Sequence, residues 1–307
     1  MPGKTKRSTI GEMLFESAEE LQPQKITCAA DKDIGLLEAE ILLAHVLKRD
    51  RAWLIAHAEM TIRTTELKRF RLLISRRKKH EPIAYILGEK EFYGLPFRVN
   101  PSVLIPRPES ELLVDLVRNA RASSSQRTNL IWEVGTGSGA IALALGNHLQ
   151  TTDILATDIS KKALVVAKQN AKRLGITNVT FGHGDLLDKT TARLLQKLQP
   201  DNLIIVANLP YLPQADKKKL MPDVIKYEPA SALFAGKDGA ALIQKLLQQL
   251  ITSGLQFSSA FFEYDPPQTK QLKTLTHKLF PMATIRTHQD LAGRDRVLEI
   301  IFEKKPI

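Results

Sequence analysis

Apolar positions change their spacing twice along the chain, and the changes divide it into three stretches. From Thr9 to about Lys79 they recur at helical spacing, as in Leu36, Leu37, Ile41, Leu42, Leu43, Val46 and Leu47, which predicts helices over 9–21, 34–48, 50–59 and 64–79. Asp31 or Asp33 can cap the second of these, because a carboxylate there accepts the free backbone N–H groups of the first turn. Between His80 and Pro108 the texture changes. Pro82, Gly88, Gly94, Pro96, Pro101 and Pro106 separate short β-prone pieces such as Phe97-Arg98-Val99, the pattern of a hairpin-like connector. A helix begins near Pro108, whose missing N–H costs nothing in a first turn, and Glu109 and Glu111 suit the positive end of its dipole; 121–129 reads as a polar loop.

From Leu130 onward, strands alternate with helices. Strands are predicted over 130–134, 153–157, 178–182, 202–206, 258–263, 282–288 and 295–302, and helices over 138–149, 160–174, 189–198, 239–253 and 267–280. Alternation of this kind implies an α/β fold with a doubly wound, mostly parallel sheet of seven strands covered on both faces. The last two strands have no helix between them, so one must run antiparallel. The organisation expected is a helical domain over 1–80, a connector with a β-hairpin over 81–108, and an α/β domain over 109–307.

The 307 residues fit two domains at about 150 residues each. No apolar run approaches the roughly eighteen residues of a membrane span. The lone cysteine, Cys28, can neither close an internal disulfide nor supply a four-thiolate zinc site, so a reducing, cytoplasmic compartment is expected. Seven histidines without a His-x-x-x-His pair argue against a metal site. The formal charge of +11 suits phosphate-rich partners as well as it suits solubility. Met1 to Ile10 carries Lys4, Lys6 and Arg7 without the apolar stretch of a secretory signal. The basic run Arg76, Arg77, Lys78, Lys79, His80 reads as a solvated helix end, with RNA or an acidic protein surface as the alternative.

The chemistry concentrates after the first and fourth strands of the sheet. Glu133-Val134-Gly135-Thr136-Gly137-Ser138-Gly139 joins the first strand to its helix, the first turn of a nucleotide-binding half. Its Gly-x-Gly-x-Gly spacing lacks the fourth-position step of the dinucleotide fingerprint, no Gly-Lys-Ser/Thr follows, and Glu133 repels phosphate while suiting a cation. Asp158, at the end of the next strand, suits two ribose hydroxyls, and Asp185, after the third, suits an adenine; Ile159 and Leu186 follow these acids into the same region. An adenosine that carries positive charge and no phosphate is S-adenosylmethionine. After the fourth strand the chain reads Asn208-Leu209-Pro210-Tyr211. A planar nitrogen conjugated to a carbonyl or a ring is a poor nucleophile and must be held in attack geometry. The Asn208 side-chain oxygen and the Leu209 carbonyl can accept its two N–H bonds, Pro210 stiffens the loop and Tyr211 packs on the planar group.

These motifs together resemble the peptide chain release factor glutamine methyltransferases. The match includes Glu81-Pro82-Ile83-Ala84-Tyr85-Ile86-Leu87-Gly88, Leu104-Ile105-Pro106-Arg107-Pro108-Glu109-Ser110-Glu111 and Tyr227-Glu228-Pro229-Ala230-Ser231-Ala232-Leu233. The resemblance implies methyl transfer from S-adenosylmethionine to the glutamine amide of a release factor's Gly-Gly-Gln loop, recruitment of that factor by the helical domain, a monomeric enzyme, and Arg107 and Glu109 at the pocket border. Three positions depart from the family pattern. Leu209 stands where proline is usual, which predicts a looser loop; Glu133 replaces Asp; and Asp265 replaces a glycine in Phe262-Glu263-Tyr264-Asp265, which questions the local turn. Asn-Leu-Pro-Tyr also resembles the adenine dimethyltransferases of ribosomal RNA. Methylation of adenine in structured RNA, of a glutamine in a ribosomal protein, and a scaffold without turnover are therefore the competing readings.

Overall fold

The computed structural model describes residues 8–22, 29–123, 130–200 and 202–302. Cys28, Lys4, Lys6, Arg7 and most of the expected 121–129 loop lie outside them. The chain divides into two compact units, one holding the chain up to Gly88 with Pro222–Tyr227, the other Glu89–Met221 with the chain from Glu228. The helical unit thus runs eight residues beyond the expected boundary at 80 and recruits a distant segment.

The helical unit contains α1 (Ile10–Leu21), α2 (Ala29–Leu47), α3 (Arg51–Ala56), α4 (Thr64–Arg77) and α5 (Ile83–Leu87). Ile10, Met13, Leu42, Leu43, Leu54, Phe70 and Ile74 form its core. Thr9 and Glu12 close a capping box on α1, and Asp50 caps α3 by accepting from the Trp53 N–H at 2.7 Å. Helix α2 begins five residues earlier than the pattern predicts, so Asp31 and Asp33 lie inside it rather than at its cap. Gly35 lets α1 approach, since a Cβ there would stand 2.5 Å from the Ala18 carbonyl oxygen. The basic run at 76–80 is largely tied down. Arg77, 15% exposed, pairs with Glu38 at 2.7 Å and faces Asp223, Arg76 pairs with Glu81, and Lys78 with Glu20.

In the second unit, β1 (Glu89–Phe92) and β2 (Leu95–Arg98) pair as the expected antiparallel hairpin. A 3₁₀ turn at Pro108–Ser110 leads into α6 (Glu111–Ser123). Then follow β3 (Leu130–Val134), α7 (Ala140–His148), β4 (Asp153–Asp158), α8 (Lys161–Leu174), β5 (Val179–His183), α9 (Lys189–Leu198) and β6 (Leu203–Ala207). After α10 (Pro222–Tyr227), which belongs to the helical unit, come α11 (Ala241–Ser253), β7 (Ser259–Glu263), α12 (Thr269–Leu279), β8 (Thr284–Gln289) and β9 (Asp295–Ile301).

The sheet has seven strands in the order β5-β4-β3-β6-β7-β9-β8, and β9 alone runs against its neighbours. Along β3 the side chains alternate between two cores. Leu130, Trp132 and Val134 pack with α11 and α12 on one face, while Ile131 packs with α6 and α7 on the other. The chain winds outward from β3 through β4 and β5, then returns to β6 on the other side of β3. That reversal leaves a crevice at the carboxyl ends of β3 and β6, where open α/β sheets bind ligands. Among the described residues no helix is long and apolar enough to cross a membrane.

Candidate functional site

The crevice is a cavity of about 380 Å³. Val134 pairs in register with Ala207, so the glycine loop and Asn208 leave the sheet side by side. Lining residues include Glu133, Gly135, Thr136, Gly137, Ser138, Asp158, Ile159, Asp185, Leu186, Asn208, Leu209, Pro210 and Arg107. Gly139 lies behind the wall at the start of α7; a Cβ there would stand 3.1 Å from Leu143 and 3.2 Å from Ala167. Tyr211 and Glu109 are not among the lining residues, and Glu109 is exposed.

Asp158 ends β4 with 9% of its surface exposed. It accepts the Gly137 N–H at 2.8 Å and the Ser160 N–H at 2.7 Å, tying the glycine loop to the start of α8. Burial raises its pKa, and these two backbone bonds pull it back. Asp185 stands two residues past β5, paired with Lys245 at 3.0 Å. Leu186 adopts a φ of +54°, uncommon for a residue with a branched side chain. Ile159 is 61% exposed, an apolar surface on the cavity wall.

Glu133 is 1% exposed. Its Oε2 accepts from the Thr136 hydroxyl at 2.5 Å and from the Ala142 N–H at 3.1 Å. Burial pushes its pKa up to about 8, the two hydrogen bonds oppose this, and the charge of Asp158 adds to it. Four lining side chains are ionisable: the carboxyls of Glu133, Asp158 and Asp185 and the guanidinium of Arg107. Such a set repels polyphosphate and accommodates a cation with hydroxyl donors. Arg107 itself is bound to Glu228, which also accepts the Ile105 N–H at 3.1 Å.

The Asn208 side-chain nitrogen donates to the Ser110 hydroxyl at 2.8 Å. Ser110 donates to Glu263 Oε2 at 2.7 Å, and the Tyr211 hydroxyl donates to Glu263 Oε1 at 3.1 Å. Glu263 is 1% exposed and its pKa is raised by burial. Ser110 and Glu263 had no assigned role in the sequence reading. The available signal was an acid ending the apolar run Ala260-Phe261-Phe262.

The loop bearing Leu209 is held by its surroundings. Leu209 is 4% exposed, and a Cβ built on Gly135 would lie 3.1 Å from its Cδ2. Gln268 donates to the Tyr211 carbonyl at 2.8 Å. Asp265 adopts φ −82°, ψ 133°, so no glycine is needed there, and its backbone N–H donates to Gln268 Oε1 at 3.2 Å.

Residues 28–88 match the PrmC N-terminal domain, and residues 128–273 match a methyltransferase domain. The release factor glutamine methyltransferase of Vibrio cholerae is 36% identical over 293 residues, which cover 94% of this chain and 95% of that protein. That of Coxiella burnetii is 37% identical, over 85% of this chain and 90% of that protein. Among solved structures, the hMettl16 catalytic domain in complex with MAT2A 3′UTR hairpin 1 aligns at a TM-score of 0.55 and 14% identity, covering 80% of this chain and 83% of that one. The N-terminal domain of human METTL16 in complex with SAH aligns at 0.50 and 15%, covering 69% and 77%. These last two likenesses are of fold. By its curated relatives, the chain is a methyltransferase and belongs to the release factor glutamine methyltransferase family.

Proposed function

We propose that the protein methylates the side-chain amide nitrogen of the glutamine in the Gly-Gly-Gln loop of peptide chain release factors, with S-adenosylmethionine as donor. One observation carries the reading: in a chain of this family, Asn208 and the acid-lined glycine loop border the same cavity from adjacent strands.

The residues present fit the donor. Asp158 has lone pairs left after its two backbone bonds and suits vicinal hydroxyls. Ile159 and Leu186 offer apolar surface for a base, beside Asp185. Glu133 suits the cationic end. When bound, the donor supplies an electrophilic methyl carbon on a sulfonium.

The chain's own contribution is orientation. Asn208 Oδ1 and the Leu209 carbonyl accept the two N–H bonds of the substrate amide, which turns its weak lone pair toward the donor side of the cavity. Pro210 limits the loop's freedom. Arg107, held by Glu228, lines the cavity. A methylated amide nitrogen is acidic enough to lose its proton to water, so no dedicated base is required. Tyr211 acts through the loop, because its hydroxyl is committed to Glu263.

The test is mass spectrometry of a release factor after incubation with the protein and S-adenosylmethionine, with ribosomal RNA and ribosomal protein in parallel. One added methyl on the Gly-Gly-Gln glutamine is the expected result. Label on RNA, or on a ribosomal protein alone, would overturn it.

A further inference from the structure

The buried carboxyl of Glu263 is hydrogen-bonded to Ser110, which lines the cavity, and to Tyr211, which does not. Both of its oxygens receive a hydroxyl, one from each. Both hydroxyls donate and the two Glu263 oxygens accept, which sets the direction of both bonds. Ser110 has a single proton. Once that proton points at Glu263, the serine oxygen can only accept, and the group resting on it is the Asn208 side-chain nitrogen. The three residues come from three separate segments: the 3₁₀ turn before α6, the end of β6 and the end of β7. Ala207 and Phe262 are register partners, so Asn208 and Glu263 are the next residues on neighbouring strands.

We propose that Glu263 and Ser110 are positioning residues that fix the polarity of the Asn208 amide, holding its nitrogen inward and leaving its Oδ1 to accept the substrate N–H. The proposal rests on the role given to Asn208 above. An amide has two ends of nearly equal shape, and only one of them can orient a nucleophilic nitrogen; the other would present a donor to a donor. Burial raises the pKa of Glu263 and the charge of Glu109 adds to this, while Ser110, Tyr211 and Arg296 on β9 oppose it. Replacing Glu263 by Gln keeps the volume but puts an NH₂ against one hydroxyl. Ser110 is then free to turn its proton toward Asn208, and the Asn208 amide can invert.

The experiment is a double-mutant cycle on the full-length chain, with release factor methylation, donor titration by calorimetry and thermal denaturation read for each variant. Glu263→Gln is expected to lower kcat by about tenfold or more with donor Kd and Tm close to those of the parent, and to change kcat less than about twofold in the Asn208→Ala background. Ser110→Ala should repeat the pattern, and it carries the cycle if Glu263→Gln does not fold. A further readout is the Asn208 side-chain NH₂ signal in ¹⁵N-resolved spectra: protected from exchange in the parent, it should exchange faster in Glu263→Gln. Equal fold-losses in the two backgrounds, or a Glu263→Gln variant with parental kcat, would overturn the relay while leaving the function standing. A parent protein that leaves the glutamine unmethylated removes the function, and the relay with it.

Discussion

Asn208 and Asp158 both line the cavity, and under the proposed function they divide the labour between rate and affinity. Asn208→Ala removes the acceptor proposed for the substrate, so kcat should fall by about 10²-fold, on the order of 3 kcal/mol of lost orientation, with donor binding little changed. An unaltered kcat contradicts the assignment. Asp158 works the other way. Its carboxylate can hold a diol while it anchors Gly137 and Ser160, so Asp158→Ala should weaken donor affinity by at least about tenfold, the worth of a hydrogen bond to a charged group, with less effect on kcat. Calorimetric titration decides this, and equal affinity refutes it. The position of both residues at the cavity was legible because each ends a run of apolar residues that reads as a strand, and strand ends in such sheets border the ligand crevice. Ser110 and Glu263 were not. Their hydrogen bond closes over 153 residues of sequence, and only the packing of α6 and its leading turn against β7 brings them together.

Between β6 and α11 the apolar period fails, and the elements found there went unread. Residues 214–219 and 230–232 form 3₁₀ turns and α10 lies between them, in a stretch dense in lysine and proline that lacks any periodic face. Elsewhere the strands fall within a residue or two of expectation, because a sheet buried on both faces demands continuous apolar runs. The unread stretch nonetheless braces the site, since Pro229, Ser231, Ala232 and Phe234 line the cavity. Gly239 closes it. At φ +73° a Cβ would stand 2.0 Å from the Tyr211 carbonyl oxygen and 2.5 Å from Gln268 Nε2, atoms that fix the end of the Asn208 loop. Gly236, at φ +69°, has only Ala241 at 3.4 Å. Gly236→Ala should therefore cost about 1 kcal/mol of backbone strain and keep most activity. Gly239→Ala should lower Tm further and cut kcat by tenfold or more, on the order of 1.4 kcal/mol, because the loop must shift. Matching Tm and kcat for the two variants would show that the close approach is not what holds the loop.

A pH response of the ligand-free protein is expected to arise at Glu133. An ordinary carboxyl in the unfolded chain titrates near 4.5, whereas burial holds the folded group at about 8. A raised folded pKa means that the folded state keeps a proton which the unfolded state has released, so the associated stability is complete below the unfolded value and drains away as pH rises toward 8. At about 1.36 kcal/mol per unit of pKa difference the loss amounts to a few kcal/mol across that window. Asp158 adds to the trend in the same direction, its pKa being raised by burial too. Glu133→Gln keeps an acceptor for Thr136 and Ala142 but has no proton to lose. Its Tm should match or trail the parent's near pH 5, exceed it increasingly up to pH 8, and run parallel above. Donor binding should release a proton near pH 7 in the parent, because a cation beside Glu133 favours the ionised form; calorimetry in buffers of different ionisation enthalpy reads this directly. A parent and a Gln variant whose melting temperatures keep a constant gap from pH 5 to 9 would mean that Glu133 is already charged in the folded cavity, with its negative charge held there by Thr136 and the amide of Ala142 alone.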